Sequence, residues 1–197
     1  MEITNINTYP VFYGILDNSD FINYKQDIIN YLYNRTKNSK GEVISNSGGW
    51  QQNKTDLIYD TSFRVYFNYF KNKLTTLIGS IYNISSFEIT QAWGNINGKY
   101  HSNFSHSHPG SDIAACFYVK CKKNSGNIVL MNPINDFNIN INKKYKNSYN
   151  RKSYLNIEAK EGRLIIFPAS IIHYVEQNLS DDYRISIAFN ISIFKEN

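Results

Sequence analysis

The sequence predicts an α+β fold in which two helices support a β-sandwich or jelly roll. Three observations carry this. Two stretches with helical periodicity come early, at residues 20–36 and 62–81. After residue 86 the chain becomes a series of short apolar runs separated by turn residues. Segregated helices and strands are the mark of α+β chains rather than of alternating α/β ones. At 197 residues, with 42% hydrophobic and 15% aromatic side chains, the chain is long and apolar enough for one core. A single domain over 1–197 is therefore expected, with 1–85 as mainly helical support and 86–197 as the β core.

Taken in order, Tyr9-Pro10-Val11-Phe12-Tyr13-Gly14 reads as a short aromatic strand within an opening strand and turn, residues 1–18. From Asp20 to Thr36, Phe21, Tyr24, Ile28, Tyr31 and Leu32 recur every three or four residues and define one apolar helix face. Asp17, Ser19 or Asp20 can cap that helix. Residues 37–56 are polar and glycine-rich, hence a loop, in which Trp50 either plugs the core's edge or walls a pocket. The second helix carries Phe63, Tyr66, Phe67, Phe70, Leu74, Leu77 and Ile78 on its apolar side and is expected to stop near Gly79.

Phe87 to Ile96 opens the β half. Ile113 to Lys120 is a buried strand, Lys122 to Gly126 a turn and Asn127 to Met131 the next strand. Leu155 to Ala159, Leu164 to Phe167, Ile171 to Val175 and Arg184 to Ile193 follow as further strands. Residues 134–154 form an Asn/Lys/Tyr tract too long for an ordinary connection, so a lid or mobile loop is expected there.

Several classes are excluded or disfavoured. No run of eighteen apolar residues offers a membrane span. The N-terminus lacks the basic and apolar blocks of a signal peptide, which points to a cytoplasmic protein. A net charge of +5 and a pI near 9.0 permit an anionic partner without requiring one. Cys116 and Cys121 fit no CxxC or zinc-knuckle spacing; on one strand they would face opposite ways, against a disulfide. The Asn, Ile, Lys and Tyr bias suggests an AT-rich genome, such as a phage's.

The chemistry gathers at His106-Ser107-His108-Pro109. In an extended segment, side chains two apart share a face, so both imidazoles can grip one ion. The chain has four histidines. His173 follows the apolar run that begins after Gly162 and can complete the set. His101 reads as a loop residue or as a neighbour of the site. In the last strand, Ile185, Ile187, Phe189 and Ile191 face one way, and Arg184, Ser186, Ala188 and Asn190 the other. A buried arginine needs an anion, and a small carboxylate suits the guanidinium fork. Ser186 can donate to the same group.

The residues Gly48-Gly49-Trp50-Gln51, Trp93-Gly94-Asn95-Ile96-Asn97, His106-Ser107-His108-Pro109-Gly110-Ser111, Phe117-Tyr118-Val119, Gly162 to Pro168, His173 and Arg184 to Asn190 together resemble a family of 2-oxoglutarate- and Fe(II)-dependent oxygenases found in phages and marine bacteria. The resemblance covers most of the chain. It implies a double-stranded β-helix, a jelly roll with N-terminal helices on one sheet. It implies Fe(II) on His106, position 108 and His173, and 2-oxoglutarate on the metal with its far carboxylate on Arg184 and Ser186. Trp93, Asn95, Tyr118 and Asn190 become candidates for the pocket wall. O2 is then consumed, succinate and CO2 are released, and a substrate C–H bond is hydroxylated.

The usual triad of the wider superfamily is two histidines and one carboxylate, whereas position 108 holds histidine. His108 can itself be the ligand, Asp112 can swing in, or one of the paired histidines can work with His173 and solvent. The i, i+2 geometry favours the first. Two other functions stay open. One is a non-catalytic cupin-like metal-binding module, which would have no need of Arg184 and Ser186. The other is a virion- or nucleic-acid-associated protein using Lys143, Lys144, Lys146, Arg151 and Lys152 with Tyr145, Tyr149 and Tyr154, though a solvated loop explains those residues more simply.

Overall fold

The computed structural model describes residues 2–6, 9–16, 18–84, 86–132 and 153–194. Two sheets face each other. The larger has seven strands: β1 (Glu2–Ile6), β2 (Tyr9–Ile15), β4 (Trp50–Gln51), β5 (Phe87–Asn97), β7 (Ile113–Lys120), β10 (Arg163–Pro168) and β12 (Arg184–Ile193), in the order β1-β2-β10-β7-β12-β5-β4. The smaller has β3 (Asn46–Ser47), β6 (Ser102–His106), β8 (Ile128–Met131), β9 (Tyr154–Ile157) and β11 (His173–Val175), in the order β3-β6-β11-β8-β9. Every pairing is antiparallel. Consecutive strands repeatedly change sheet, as in a double-stranded β-helix.

Alternation along the central strands builds two cores. Phe117 and Val119 of β7, Leu164 and Ile166 of β10, and Ile185, Ile187, Phe189 and Ile191 of β12 face the helices. Tyr118, Ile165 and Phe167 face the smaller sheet and meet Ile128, Leu130, Leu155 and Ile157 there. Helices α1 (Asn18–Asn38) and α3 (Arg64–Tyr82) cover the outer face of the larger sheet. Phe21 and Phe70 meet Phe117 with ring centroids 4.8 and 5.0 Å apart. Each such buried side chain contributes about 1.5–3 kcal/mol.

The helices and strands from Phe87 onward stand where the sequence predicts, within a few residues. Three details differ. The opening segment is a hairpin, β1–β2, that extends the larger sheet through β10. Helix α3 runs past Gly79 and ends at Asn83, whose left-handed φ of 52° closes the C-terminus. The 37–56 segment is not wholly irregular, because its β3 joins the smaller sheet and its β4 the larger. Gly48 and Gly49, with φ of 70° and 77°, make that crossing, and a Cβ on Gly48 would strike the His101 ring. A four-residue helix, α2 (Asp56–Tyr59), follows.

Trp50 plugs the core's edge: its ring packs on the helix-side core and its Nε1 donates to the Ser39 carbonyl at 3.0 Å. Cys116 and Cys121 are free thiols, as expected, yet both pack against the inter-sheet core. The strand ends at Lys120, so alternation no longer governs residue 121. The expected lid up to residue 152, with the basic tract from Lys143 to Lys152, lies outside the described residues, while Tyr154 at its end opens β9. Among the described residues no helix is long and apolar enough to cross a membrane.

Candidate metal centre

The two sheets bring the three histidines together. His106 ends β6 and is paired in register with His173, the first residue of β11. His108 lies just beyond β6, where its N–H donates to the Ala169 carbonyl at 2.9 Å. One potential ligand atom from each histidine lies within 4.8 Å of the others. His108 and His173 stack at an interplanar angle of 10°, with their Nε2 atoms 3.2 Å apart. With metal–nitrogen bonds of about 2.0–2.1 Å, adjacent ligands stand about 3 Å apart, so this pair already has the spacing of two nitrogens on one ion.

Backbone carbonyls orient the rings. His106 Nδ1 donates to Phe104 O at 2.7 Å, and His173 Nδ1 to Ile171 O at 3.0 Å. Each bond fixes the N–H on Nδ1 and leaves the Nε2 lone pair for a metal. Burial, with the neighbouring His106 and then Lys54, lowers the His108 pKa to about 4. Burial, followed by His106, lowers that of His173 to about 3. His106 is lowered in the same direction, again mainly by burial. All three are therefore neutral near pH 7, the form that ligates.

Asp112 stands apart from this group. Its carboxylate accepts from the Ile193 N–H at 2.8 Å, and its backbone bonds to Ile191 and Ala169. It ties the end of β12 to the turn after His108. His101 is also separate, its Nδ1 accepting from the Gly98 N–H at 3.0 Å.

A cavity of about 70 Å³ runs inward from the histidines between the sheets. Trp93, Asn95, Tyr118, Arg184 and Ser186 line it. Asn190 does not: it lies on the same strand face but donates to Gln91 Oε1 at 2.5 Å, beyond the cavity. Arg184 is 1% exposed. Its Nη1 donates to the carbonyls of Ser125, Gly126 and Glu176 at 2.6, 3.2 and 3.0 Å. Among the described residues its Nη2 has no partner, and neither has the buried Tyr118 hydroxyl. Burial raises the Tyr118 pKa well above its usual value, so the phenol stays a donor. A buried cation without an anion is costly. This cavity thus holds two idle donors, one of them on a buried guanidinium that no described carboxylate touches, which fits a small dicarboxylate anchored on the metal.

Three residues of the site carry no signal in the sequence. Ser45 lines the cavity, 3.5 Å from His106 Nε2, and accepts from Asn103 Nδ2 at 3.2 Å. Lys54 stands at the mouth. Gly126, read only as a turn, shapes the cradle of Arg184. With φ of 84°, a Cβ there would overlap the Glu176 carbonyl and approach Arg184 Nη1 to 2.6 Å.

Fold and site define a non-haem metal oxygenase of the double-stranded β-helix class. Residues 91–190, just over half the chain, match the family described as "Putative 2OG-Fe(II) oxygenase", and the chain belongs to that family. A prolyl-4-hydroxylase from Pseudomonas putida is similar in fold over 96% of each chain, with a TM-score of 0.63 and 10% identity. HygX from Streptomyces hygroscopicus, solved with nickel and 2-oxoglutarate, gives a TM-score of 0.62 at 11% identity over 95% of this chain and 83% of its own. SnoK, a non-haem α-ketoglutarate-dependent carbocyclase of nogalamycin biosynthesis, gives 0.66 at 8% identity over 92% and 79%. No curated protein sequence matches the chain. The protein is an Fe(II)- and 2-oxoglutarate-dependent oxygenase.

Proposed function

We propose that His106, His108 and His173 hold Fe(II) through their Nε2 atoms, as a three-histidine site. In this reading 2-oxoglutarate fills the inner cavity, with its far carboxylate on Arg184 Nη2, Ser186 and the Tyr118 hydroxyl. The observation that carries it is the unpartnered Nη2 of a fully buried arginine in the cavity that starts at the histidines. When bound, the iron and co-substrate supply the O2-dependent oxidation, which we take to be hydroxylation of a C–H bond, with succinate and CO2 as co-products.

The chain's own residues orient and exclude. The carbonyls of Phe104 and Ile171 hold two imidazoles in their ligating tautomer. Phe167 packs edge-on to His173 at 4.9 Å and keeps water from its inner side. Arg184 cannot turn away, because three carbonyls fix its Nη1. Residues 86–197 carry the metal and co-substrate residues, and 1–85 supply the helices and, through Ser45, Gln51 and Lys54, part of the lining, as one unit. The two free thiols suit a reducing compartment, so we place the protein in a cytoplasm.

The test is anaerobic titration of the metal-free protein with Fe(II) and then 2-oxoglutarate, following the visible charge-transfer band of the chelate. The band should form in the wild type and be lost in His173→Ala. Metal binding without the band would refute the assignment of the inner cavity to 2-oxoglutarate.

A further inference from the structure

The histidines face a second space besides the inner cavity. An outer depression of about 320 Å³ shares Ser45, Gln51, Trp93, His106 and His108 with the inner cavity, but opens to solvent past Ile44, Lys54 and Phe104. His106 and His108 thus stand between an inner compartment with one cation, Arg184, and an outer one with another, Lys54, while His173 lines the inner one alone. If the inner compartment takes the co-substrate, the outer one is where a second molecule meets the metal.

Its lining has two unusual features. Phe104 and Ile44 are 65% and 52% exposed, and the adjoining Val43 87%. Large apolar side chains left bare at the rim of a site mark a surface that something covers. Lys54 is half-buried, with its Nζ 5.7 Å from the centroid of the Trp93 ring, and Trp93 in turn neighbours His108 at 6.0 Å. Among the described residues no ion pair includes Lys54. The nearest acids in sequence are engaged elsewhere: Asp56 pairs with Arg35 at 3.1 Å, Asp60 accepts from the Tyr31 hydroxyl at 2.6 Å, and Glu42, further off, accepts from Asn53 at 2.7 Å. An ammonium held over an indole keeps its three donors free for an anion.

We infer that the primary substrate is an organic anion, a carboxylate or phosphate on an apolar body, whose charge is held by Lys54 while Phe104 and Ile44 receive the body. The inference rests on the reading of the histidines as the metal site. Lys54 acts here as a specificity residue. It lies outside the ligand set, and its contact with Trp93 keeps the anion beside His108 rather than out in solvent.

The experiment is calorimetric titration of the protein, loaded with Co(II) and saturated with 2-oxoglutarate so that the Arg184 cavity is filled. The probes are phenylacetate, phenylphosphate and the neutral phenylacetamide. At least one anion should bind about tenfold more tightly than the amide, the usual worth of one charge-assisted hydrogen bond. Lys54→Gln should erase that preference with Co(II) still bound, and Lys54→Arg should keep it. The stronger of the two anions tells a carboxylate substrate from a phosphate one. Equal binding of all three probes, or a preference that survives in Lys54→Gln, overturns the inference. Co(II) binding is measured first, so failure to bind metal would overturn the metal site, while bound metal without anion preference overturns this proposal alone.

Discussion

Replacing Arg184 by glutamine tests the inner cavity most directly. The guanidinium is buried, bonds three carbonyls through Nη1 and offers Nη2 to the cavity. Glutamine keeps an amide donor for the carbonyls but removes the charge and the fork. Loss of a hydrogen bond between charged groups costs about 2–3 kcal/mol, which weakens 2-oxoglutarate binding roughly 30- to 150-fold. At a co-substrate concentration of about one hundred times the wild-type Kd, binding stabilises the metal-loaded wild type by about 2.7 kcal/mol. For a chain of this size that raises Tm by roughly 5–11 °C. At the same concentration the variant gains about 0.3–0.9 kcal/mol, a rise of roughly 1–4 °C. Thermal melts with Ni(II) alone, then with Ni(II) and 2-oxoglutarate, separate the two ligands. The metal-only shift should be the same in both proteins. An undiminished 2-oxoglutarate shift in Arg184→Gln, or an equal loss of both shifts, would refute the reasoning and leave Arg184 a purely structural arginine.

Two further outcomes follow from the histidines. Exchanging His108→Asp removes one unit of positive charge from the metal site; at about 5 Å in an effective dielectric near 20 this is worth about 3 kcal/mol. Part is recovered by relaxation, so a loss of 2-oxoglutarate affinity of about tenfold or more is expected with metal still bound, and unchanged or tighter binding would contradict it. Burial holds His108 near pKa 4 and His173 near 3, below the ordinary 6.5. Between those values and 6.5 the unfolded chain binds more protons than the metal-free native protein. Stability is therefore complete above pH 6.5 and declines as pH falls toward 4 and 3, by up to about 1.4 kcal/mol per pH unit for each histidine. Urea midpoints at pH 7.5 and 5.0 should differ less in His173→Gln than in the wild type; an equal difference in both would remove His173 from the account.

What could be read from the sequence was what depends on local period. The i, i+2 spacing of His106 and His108 and the alternation from Arg184 to Ile191 fix which side chains share a face before any tertiary contact is known. The site residues that escaped depend on pairings far apart in the chain. Gly126 lies 58 residues from Arg184, and its role is visible only once both border one cavity. Ser45 and Lys54 sit in a polar segment whose two short strands join opposite sheets, and no periodicity announces such a crossing. Asn190 shows the opposite limit. Alternation put it on the correct face, but a hydrogen bond to Gln91 removes it from the cavity. Gly79 likewise gave a plausible helix stop, yet Ile81 and Tyr82 pack on the helix-side core and carry α3 beyond it.

The histidine at position 108 and the two cations belong to one electrostatic argument. A ligand set of two histidines and a carboxylate leaves a divalent ion with one net positive charge, and three neutral imidazoles leave it with two. The described carboxylates do not correct this: Asp112 is committed to the Ile193 N–H, and none joins the ligating group. A bound dicarboxylate neutralises the ion, but Arg184 on one side and Lys54 on the other remain. Charge left uncompensated in a partly desolvated cleft favours anions over neutral molecules. With His108 as the proposed third ligand, the exchange that makes the site neutral in its ligands also biases the whole cleft toward a second anion, the ligand proposed for Lys54.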